Sequence, residues 1–264
     1  MQVITSKENE AVKNIRKLKE KKYRDEKKEF IIEGIKMIEE AIQENAKIKT
    51  IVVCEECIKD GTISQKILYE IAKYNCIYVS EKVFRIMTEV TNPQGILAVI
   101  EKESKKEEEI NYEEDIIMVL DGIQDPGNLG TILRTADSAN LKQIIVSDKT
   151  ADIYNPKVVR STMGAIFRVK VIESNHLVET LKEIKKHKFK IVSTSLEDSK
   201  NIYEIDYEKK AIVIGNEANG VSKEVQDISD EKIKIPMLGK TESLNASVAA
   251  GIVIYEYVRR KITK

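Results

Sequence analysis

Two textures of hydrophobic patterning divide the chain. Up to residue 100, amphipathic stretches alternate with short apolar ones. Val12, Ile15 and Leu18 recur at helical spacing within a charged helix predicted over 8–22, and residues 35–42 and 63–74 each carry one apolar face. Residues 51–54, 77–79 and 96–100 read as short strands. The run Phe30-Ile31-Ile32 leads through Glu33-Gly34 into the second helix, 82–88 reads as a short helix, and Asn92-Pro93-Gln94-Gly95 as a turn. From Ile116 onward the apolar runs lose their alternation: 116–120, 144–146, 169–172, 191–192 and 211–214. Helical patterns over 129–139, 177–186 and 221–228 separate them. Uninterrupted apolar strands alternating with helices predict an α/β fold with a parallel sheet flanked by helices. Ligands of such sheets bind beyond the carboxyl ends of the strands, so the chemistry is sought there.

Between the two textures, 101–115 holds eight acids and three lysines and almost nothing apolar. The expected organisation is a small α/β domain over 1–105, a linker over 106–115 and a larger domain over 116–264. Among 264 residues, 33% are charged and 42% hydrophobic, enough to build a core. The sequence holds no apolar run of membrane-spanning length, and the polar first ten residues do not read as a secretory signal. Cys54 and Cys57 form a C-x-x-C without a second pair or a histidine cluster. A buried thiol at a strand end is the simpler reading, and a reduced, cytoplasmic protein is expected. Lysines plus arginines number 44, as do aspartates plus glutamates, which argues against a purely electrostatic nucleic-acid binder. The balance is uneven, however. Lys13, Arg16, Lys17, Lys19, Lys21, Lys22 and Arg24 fall within a dozen residues whose one acid is Glu20.

Three strand ends carry the candidate chemistry. The first is Leu120-Asp-Gly-Ile-Gln-Asp-Pro-Gly-Asn-Leu-Gly-Thr-Ile-Leu-Arg134, in which Asn128 is the expected N-cap and Leu129, Ile132, Leu133 and Ala136 the buried stripe. Arg134 lies about 150° around that helix from the stripe, the place of an exposed arginine. The segment has no G-x-G-x-x-G and no phosphate-loop lysine. At the second end, Gly215-Asn-Glu-Ala-Asn-Gly-Val-Ser222 leaves a buried strand. Gly215 is expected to let a ligand meet the backbone, Ser222 to cap a helix, and Glu217 to place an acid at the mouth of the sheet or to stabilise the turn. The third runs Ile235-Pro-Met-Leu-Gly-Lys-Thr-Glu-Ser-Leu-Asn-Ala-Ser247. There Ser243 is the expected N-cap of a last helix whose small residues, Ala246 to Gly251, admit close approach by another helix, a cofactor or both.

Together, in this order, these segments resemble the SpoU (TrmH-type) family of RNA ribose 2′-O-methyltransferases within the SPOUT superfamily. The likeness covers about 116–258 and includes Tyr154-Asn-Pro-Lys-Val-Val-Arg-Ser-Thr-Met-Gly164. In front of it, 17–34 resembles the family's substrate-binding domain, similar to a small ribosomal-protein fold. The resemblance implies a C-terminal trefoil knot, S-adenosyl-L-methionine as cofactor, no metal, and a homodimer formed through the knot region. Carried over by position, Thr194, Ser195, Leu196, Gly215, Asn216, Gly220, Ile235, Leu238, Leu244 and Asn245 are expected to form the cofactor site, largely through backbone groups. Arg134 is expected to be catalytic, supported by Asn128, Glu217, Ser243 and Asn245. A guanidinium stays protonated. Arg134 therefore either orients an RNA phosphate that helps accept the hydroxyl proton, or only grips phosphate and stabilises charge.

RNA is expected to meet Lys17, Lys21, Lys22 and Arg24 in the first domain and Lys157, Arg160 and Ser161 in the second, because phosphate binding scales with the charges gathered. The front domain leans the reading toward ribosomal RNA, 23S in particular. Transfer RNA remains the alternative substrate, and a non-catalytic RNA-binding protein retaining the fold the alternative function.

Overall fold

The computed structural model describes residues 2–103 and 107–263. The chain forms two compact units, one of Met1–Glu103 with Tyr154–Phe167, the other of Ser104–Ile153 with Arg168–Lys264. It passes from one unit to the other three times. The domain boundary expected at 105/106 lies outside the described residues.

The first unit runs β1 (Val3–Ile4), α1 (Glu10–Lys17), α2 (Lys21–Lys27), β2 (Glu29–Glu33), α3 (Ile35–Gln43), β3 (Ile48–Cys54), α4 (Glu55–Lys59), α5 (Gln65–Ile71), β4 (Cys76–Val79), α6 (Glu81–Met87) and β5 (Ile96–Glu101). Its sheet has the order β1-β4-β3-β5-β2, with β5 antiparallel to both its neighbours. Val12, Leu18, Val52, Phe84 and Leu97 meet in its core. The helix expected over 8–22 is two helices. The guanidinium of Arg24 donates to Leu18 O at 2.8 Å and Lys19 O at 2.7 Å, satisfying carbonyls at the corner where α1 stops. Cys54 ends β3 and is buried, which pushes its thiol up to about 12.

The second unit runs β6 (Ile116–Asp121), α7 (Pro126–Ser138), β7 (Gln143–Ser147), β8 (Lys170–Ser174), α9 (Leu177–Lys186), β9 (Lys190–Thr194), β10 (Lys200–Asn201), β11 (Lys210–Gly215), α10 (Lys223–Ile228), β12 (Glu231–Lys234) and α11 (Ala246–Ile262). The sheet order is β10-β12-β9-β11-β6-β7-β8, and every pairing is parallel. Five of its strands coincide with the apolar runs. β10 and β12 do not, because a two-residue strand and the sequence Glu231-Lys-Ile-Lys234 carry almost no apolar signal.

Two features bear on the expected layout. The segment 107–115 is docked rather than a tether. Ile110 is buried, Asn111 and Gln143 exchange hydrogen bonds of 2.9 and 2.6 Å, and Tyr112 stacks on His187 with ring centroids 3.6 Å apart. In addition, α8 (Pro156–Thr162), which the sequence places inside the second domain, packs within the first unit. Val158 and Val159 are buried, and Tyr154 sets its ring 4.7 Å from that of Phe30 and donates to Glu103 O. Gly164 closes the segment at φ +95, where a Cβ would stand 2.8 Å from Glu40 Cγ. Lys157, Arg160 and Ser161 therefore share a unit with Lys17, Lys21 and Lys22.

Candidate active site

In a parallel sheet all strands end at the same edge. Because β9 lies between β12 and β11, and β11 beside β6, the loops that follow these four strands emerge side by side. They are the loops of 194–196, 215–222, 235–245 and 122–125.

Two of these loops are bound tightly together. The carboxylate of Glu217 accepts from the backbone N–H of Gln124 at 3.2 Å and of Asp125 at 3.3 Å, and from Asn128 Nδ2 at 2.9 Å. Asn245 Nδ2 donates to Asn128 Oδ1 at 2.9 Å, so three strand-end segments share one chain of side-chain bonds. Asn216 Nδ2 donates to Gly122 O at 2.8 Å, and the buried Asp121 carboxylate accepts the N–H of Ser222 at 2.8 Å. Burial works against charge on Glu217, but the bond from Asn128 and those from backbone N–H groups outweigh it, holding the carboxyl below its ordinary value.

This network reassigns several expected caps. The N-cap of α7 is Asp125, whose carboxylate accepts Asn128 N–H at 2.9 Å, because Pro126 starts the helix three residues early. That frees the Asn128 side chain to join Glu217 and Asn245. The cap of α11 is Asn245, accepting from Ser247 N at 2.9 Å and Val248 N at 3.3 Å. Ser243 is exposed and makes no hydrogen bond to another described residue. Ser222 occupies the N-cap position of α10, but its side chain makes no cap bond. Gly215 also has a local role. A Cβ there would lie 2.1 Å from the backbone of Gly220 and Val221, so the missing side chain makes room for the loop's own return, closed by paired bonds between Asn216 and Gly220.

The neighbouring loop is the reverse. Among the described residues, 236–244 form no hydrogen bond with any other part of the chain. Leu238 is 98% exposed and Leu196 63%. Thr194 Oγ1 donates to Val213 O at 3.1 Å and Ser195 N–H to Ile233 O at 2.9 Å, anchoring the 194–196 loop beside it. Unspent main-chain donors and acceptors next to apolar side chains are the donor set that an adenine and an amino-acid moiety require. Ile235, Leu238, Leu244, Thr194, Ser195 and Leu196 thus lie on strand-end loops that emerge together, with Gly215, Asn216, Gly220 and Asn245 on the bonded side. The residues fit S-adenosylmethionine.

Arg134 stands apart from the bonded network. It is exposed on α7, and its side chain makes no hydrogen bond or ion pair with another described residue. α7 packs along α11, where a Cβ on Gly251 would meet Thr135 Cγ2 at 3.8 Å and Ser138 Oγ lies 3.1 Å from Tyr255 Oη. The small residues of α11 therefore receive a helix of the same chain.

Residues 115–255 match the SpoU rRNA Methylase family, and 9–98 the MRM3-like substrate binding domain. The chain belongs to the SpoU family. It is 35% identical to the 23S rRNA (guanosine(2553)-2′-O)-methyltransferase RlmP of Bacillus subtilis over 97% of this chain and 98% of that protein. Among solved structures, the AdoMet-bound rRNA methyltransferase from Sinorhizobium meliloti superimposes with a TM-score of 0.85 at 31% identity, over 99% of this chain and 98% of that one. The SpoU methyltransferase AviRb from Streptomyces viridochromogenes, in complex with AdoMet, gives 0.87 at 25% identity, over 97% and 99%.

Of the residues expected to meet RNA, Arg24 is the exception. It is 2% exposed and its guanidinium is spent on backbone carbonyls, so it builds the α1–α2 corner rather than its surface. Arg160 pairs with Glu89 at 3.7 Å, and Ser161 Oγ donates to Lys157 O at 2.8 Å.

Proposed function

We propose that this SpoU-family protein methylates a ribose 2′-hydroxyl of 23S ribosomal RNA. That it is an S-adenosylmethionine-dependent RNA 2′-O-methyltransferase follows from family membership spanning both halves of the chain. The single observation that carries the choice of 23S RNA is the end-to-end match to RlmP, which includes the front domain. Transfer RNA remains the second reading, favoured by TrmH-type relatives named for either RNA, such as a putative tRNA/rRNA methyltransferase of Staphylococcus epidermidis.

Bound in the open loop, the cofactor supplies an electrophilic methyl group. The chain supplies the rest. The backbone of 236–244 binds, and the Asn128–Glu217–Asn245 network fixes the loops around the ribose before it arrives. Arg134 holds an RNA phosphate and draws the 2′-hydroxyl into line. Its guanidinium cannot accept the proton, which passes to that phosphate. The reading includes a trefoil knot. β12 lies outside β9 while β11 lies inside it, and the chain then returns through 236–244 to begin α11 against Asn128. It also includes a homodimer. Val248, Tyr255 and Ile262 stand exposed on α11 at seven-residue spacing, an apolar stripe suited to the same stripe on a second copy. The first unit serves as the RNA reader, and the protein works in the cytoplasm. Among the described residues no helix is long and apolar enough to cross a membrane.

The test is methyl transfer from tritiated S-adenosylmethionine to 23S RNA and to bulk transfer RNA from cells lacking the gene, followed by mapping of 2′-O-methyl stops. Label on 23S RNA at one ribose is the expected result. Label on transfer RNA alone would move the substrate.

A further inference from the structure

The corner between α1 and α2 is built in a way that phosphate binding alone does not require. Arg24 turns inward and ties two backbone carbonyls, which fixes the residues on either side. Tyr23, next to it, is half-buried, and two ammonium groups lie over its ring, Lys17 Nζ at 5.5 Å and Lys22 Nζ at 5.8 Å from the centroid. Neighbouring lysines are spent. Lys13 pairs with Glu8 at 2.7 Å, Lys102 with Asp25 at 2.6 Å, and Lys19 donates to the carbonyls of Ile86 and Thr88 at 3.3 and 3.0 Å. Lys17, Lys21 and Lys22 are exposed and form no ion pair with a described carboxylate. An aromatic face held at a rigid corner, ringed by uncommitted cations, is the arrangement that binds an unpaired base by stacking and its flanking phosphates by charge.

We propose that Tyr23 is a stacking platform for one unpaired RNA base, with Lys17 and Lys22 gripping the phosphates on either side. The inference rests on the RNA-methyltransferase reading and deepens it by naming how the first unit holds its substrate. Both lysines are exposed, so a base displaces them from the ring at little cost while they move to phosphate. A duplex offers no free base face and gains nothing from the ring.

The full chain is tested with a twelve-nucleotide single-stranded RNA carrying one central 2-aminopurine, and with the duplex of the same sequence. Stacking on Tyr23 quenches the aminopurine in the wild type and in Tyr23→Phe. Tyr23→Leu, which keeps an apolar body but no flat ring, loses the quench and about tenfold in single-strand affinity, with duplex affinity unchanged. The double variant Lys17→Ala, Lys22→Ala keeps the quench at saturation and lowers the slope of log affinity against log salt by about 1.4, two phosphates at about 0.7 each. Thermal unfolding of each variant shows whether the corner still folds, and if Tyr23→Leu unfolds, the same quench and affinity are read on Tyr23→Met. Single-strand binding by the wild type without quenching, or by Tyr23→Leu with wild-type affinity and quench, overturns the platform. So does failure of the wild type to bind the single strand at all. Calorimetric titration with S-adenosylmethionine on the same samples separates the two readings. Retained cofactor binding with no stacking sinks the platform alone, whereas loss of both cofactor and RNA binding in the wild type sinks the methyltransferase reading too.

Discussion

The two sheets differ less in the direction of their strands than in what joins the loops at the strand ends. In the second unit every strand pairs in parallel, four loops emerge at one edge, and Glu217, Asn128 and Asn245 tie three of these segments together. In the first unit β1, β2, β3 and β4 share one direction and β5 alone is reversed. The features that suit a ligand sit on a helix corner instead. The comparison teaches that shared strand direction alone does not mark a site: the second unit is distinguished by a carboxylate and two amides bonded across three loop segments, the first by a flat ring among cations at a rigid corner.

The sharpest way to break this division is Arg134→Ala. Methyl transfer should fall by about a hundred- to a thousandfold, while calorimetry shows cofactor affinity nearly unchanged. A variant with wild-type turnover would remove Arg134 from the chemistry. The next test is to begin the protein at residue 107. RNA affinity should drop, but α8 should also melt. Val158 and Val159 lose their cover at about 1.5–3 kcal/mol each, and a seven-residue helix does not hold alone. Hydrogen exchange over 156–162 would be fast in the truncated protein and slow in the whole one. Equal protection would mean that α8 does not depend on the first unit.

Within the bonded shell, Glu217→Ala leaves Asn128 Nδ2 and two backbone N–H groups without their acceptor. Activity should fall about tenfold, the effect of about 1.4 kcal/mol of lost positioning, with RNA affinity kept. Unchanged turnover would show the network to be ornamental. The smallest effect is in pH. Glu256 is buried in α11 between Arg259 and Arg260, bonded at 2.8 and 2.6 Å, and is held down to about 2 chiefly by the Arg259 bond. A depressed carboxyl stabilises the fold fully above its unfolded value of 4.5, and that stabilisation is lost as pH falls toward about 2. The melting temperature of the wild type should exceed that of Glu256→Gln at pH 6, and the gap should close between pH 4.5 and 2. A gap independent of pH would assign Glu256 a packing role alone.

Much of the second unit was legible because a parallel strand buried on both faces must be apolar throughout, and the runs from Ile116, Ile144, Ile191 and Ala211 obey this. The family likeness added the site segments. What sequence could not convey was direction in space. Asn128 and Ser243 are both good N-caps by type, yet Asp125 and Asn245 do the capping, because Pro126 and the free loop 236–244 set where each helix begins. Arg24 looked like its basic neighbours, and only its bonds to Leu18 O and Lys19 O separate it from them. Tyr23 went unnoticed for the converse reason: one tyrosine among lysines has no periodicity to mark it. The signal available was an aromatic inside a basic run.

The helix that crosses from one sequence half into the other unit bears on engineering. A front module exchanged for a relative's at the acidic segment would leave 154–167, fourteen residues that pack with it, against a foreign surface. A chimera that carries 154–167 along with residues 1–103 keeps that packing native.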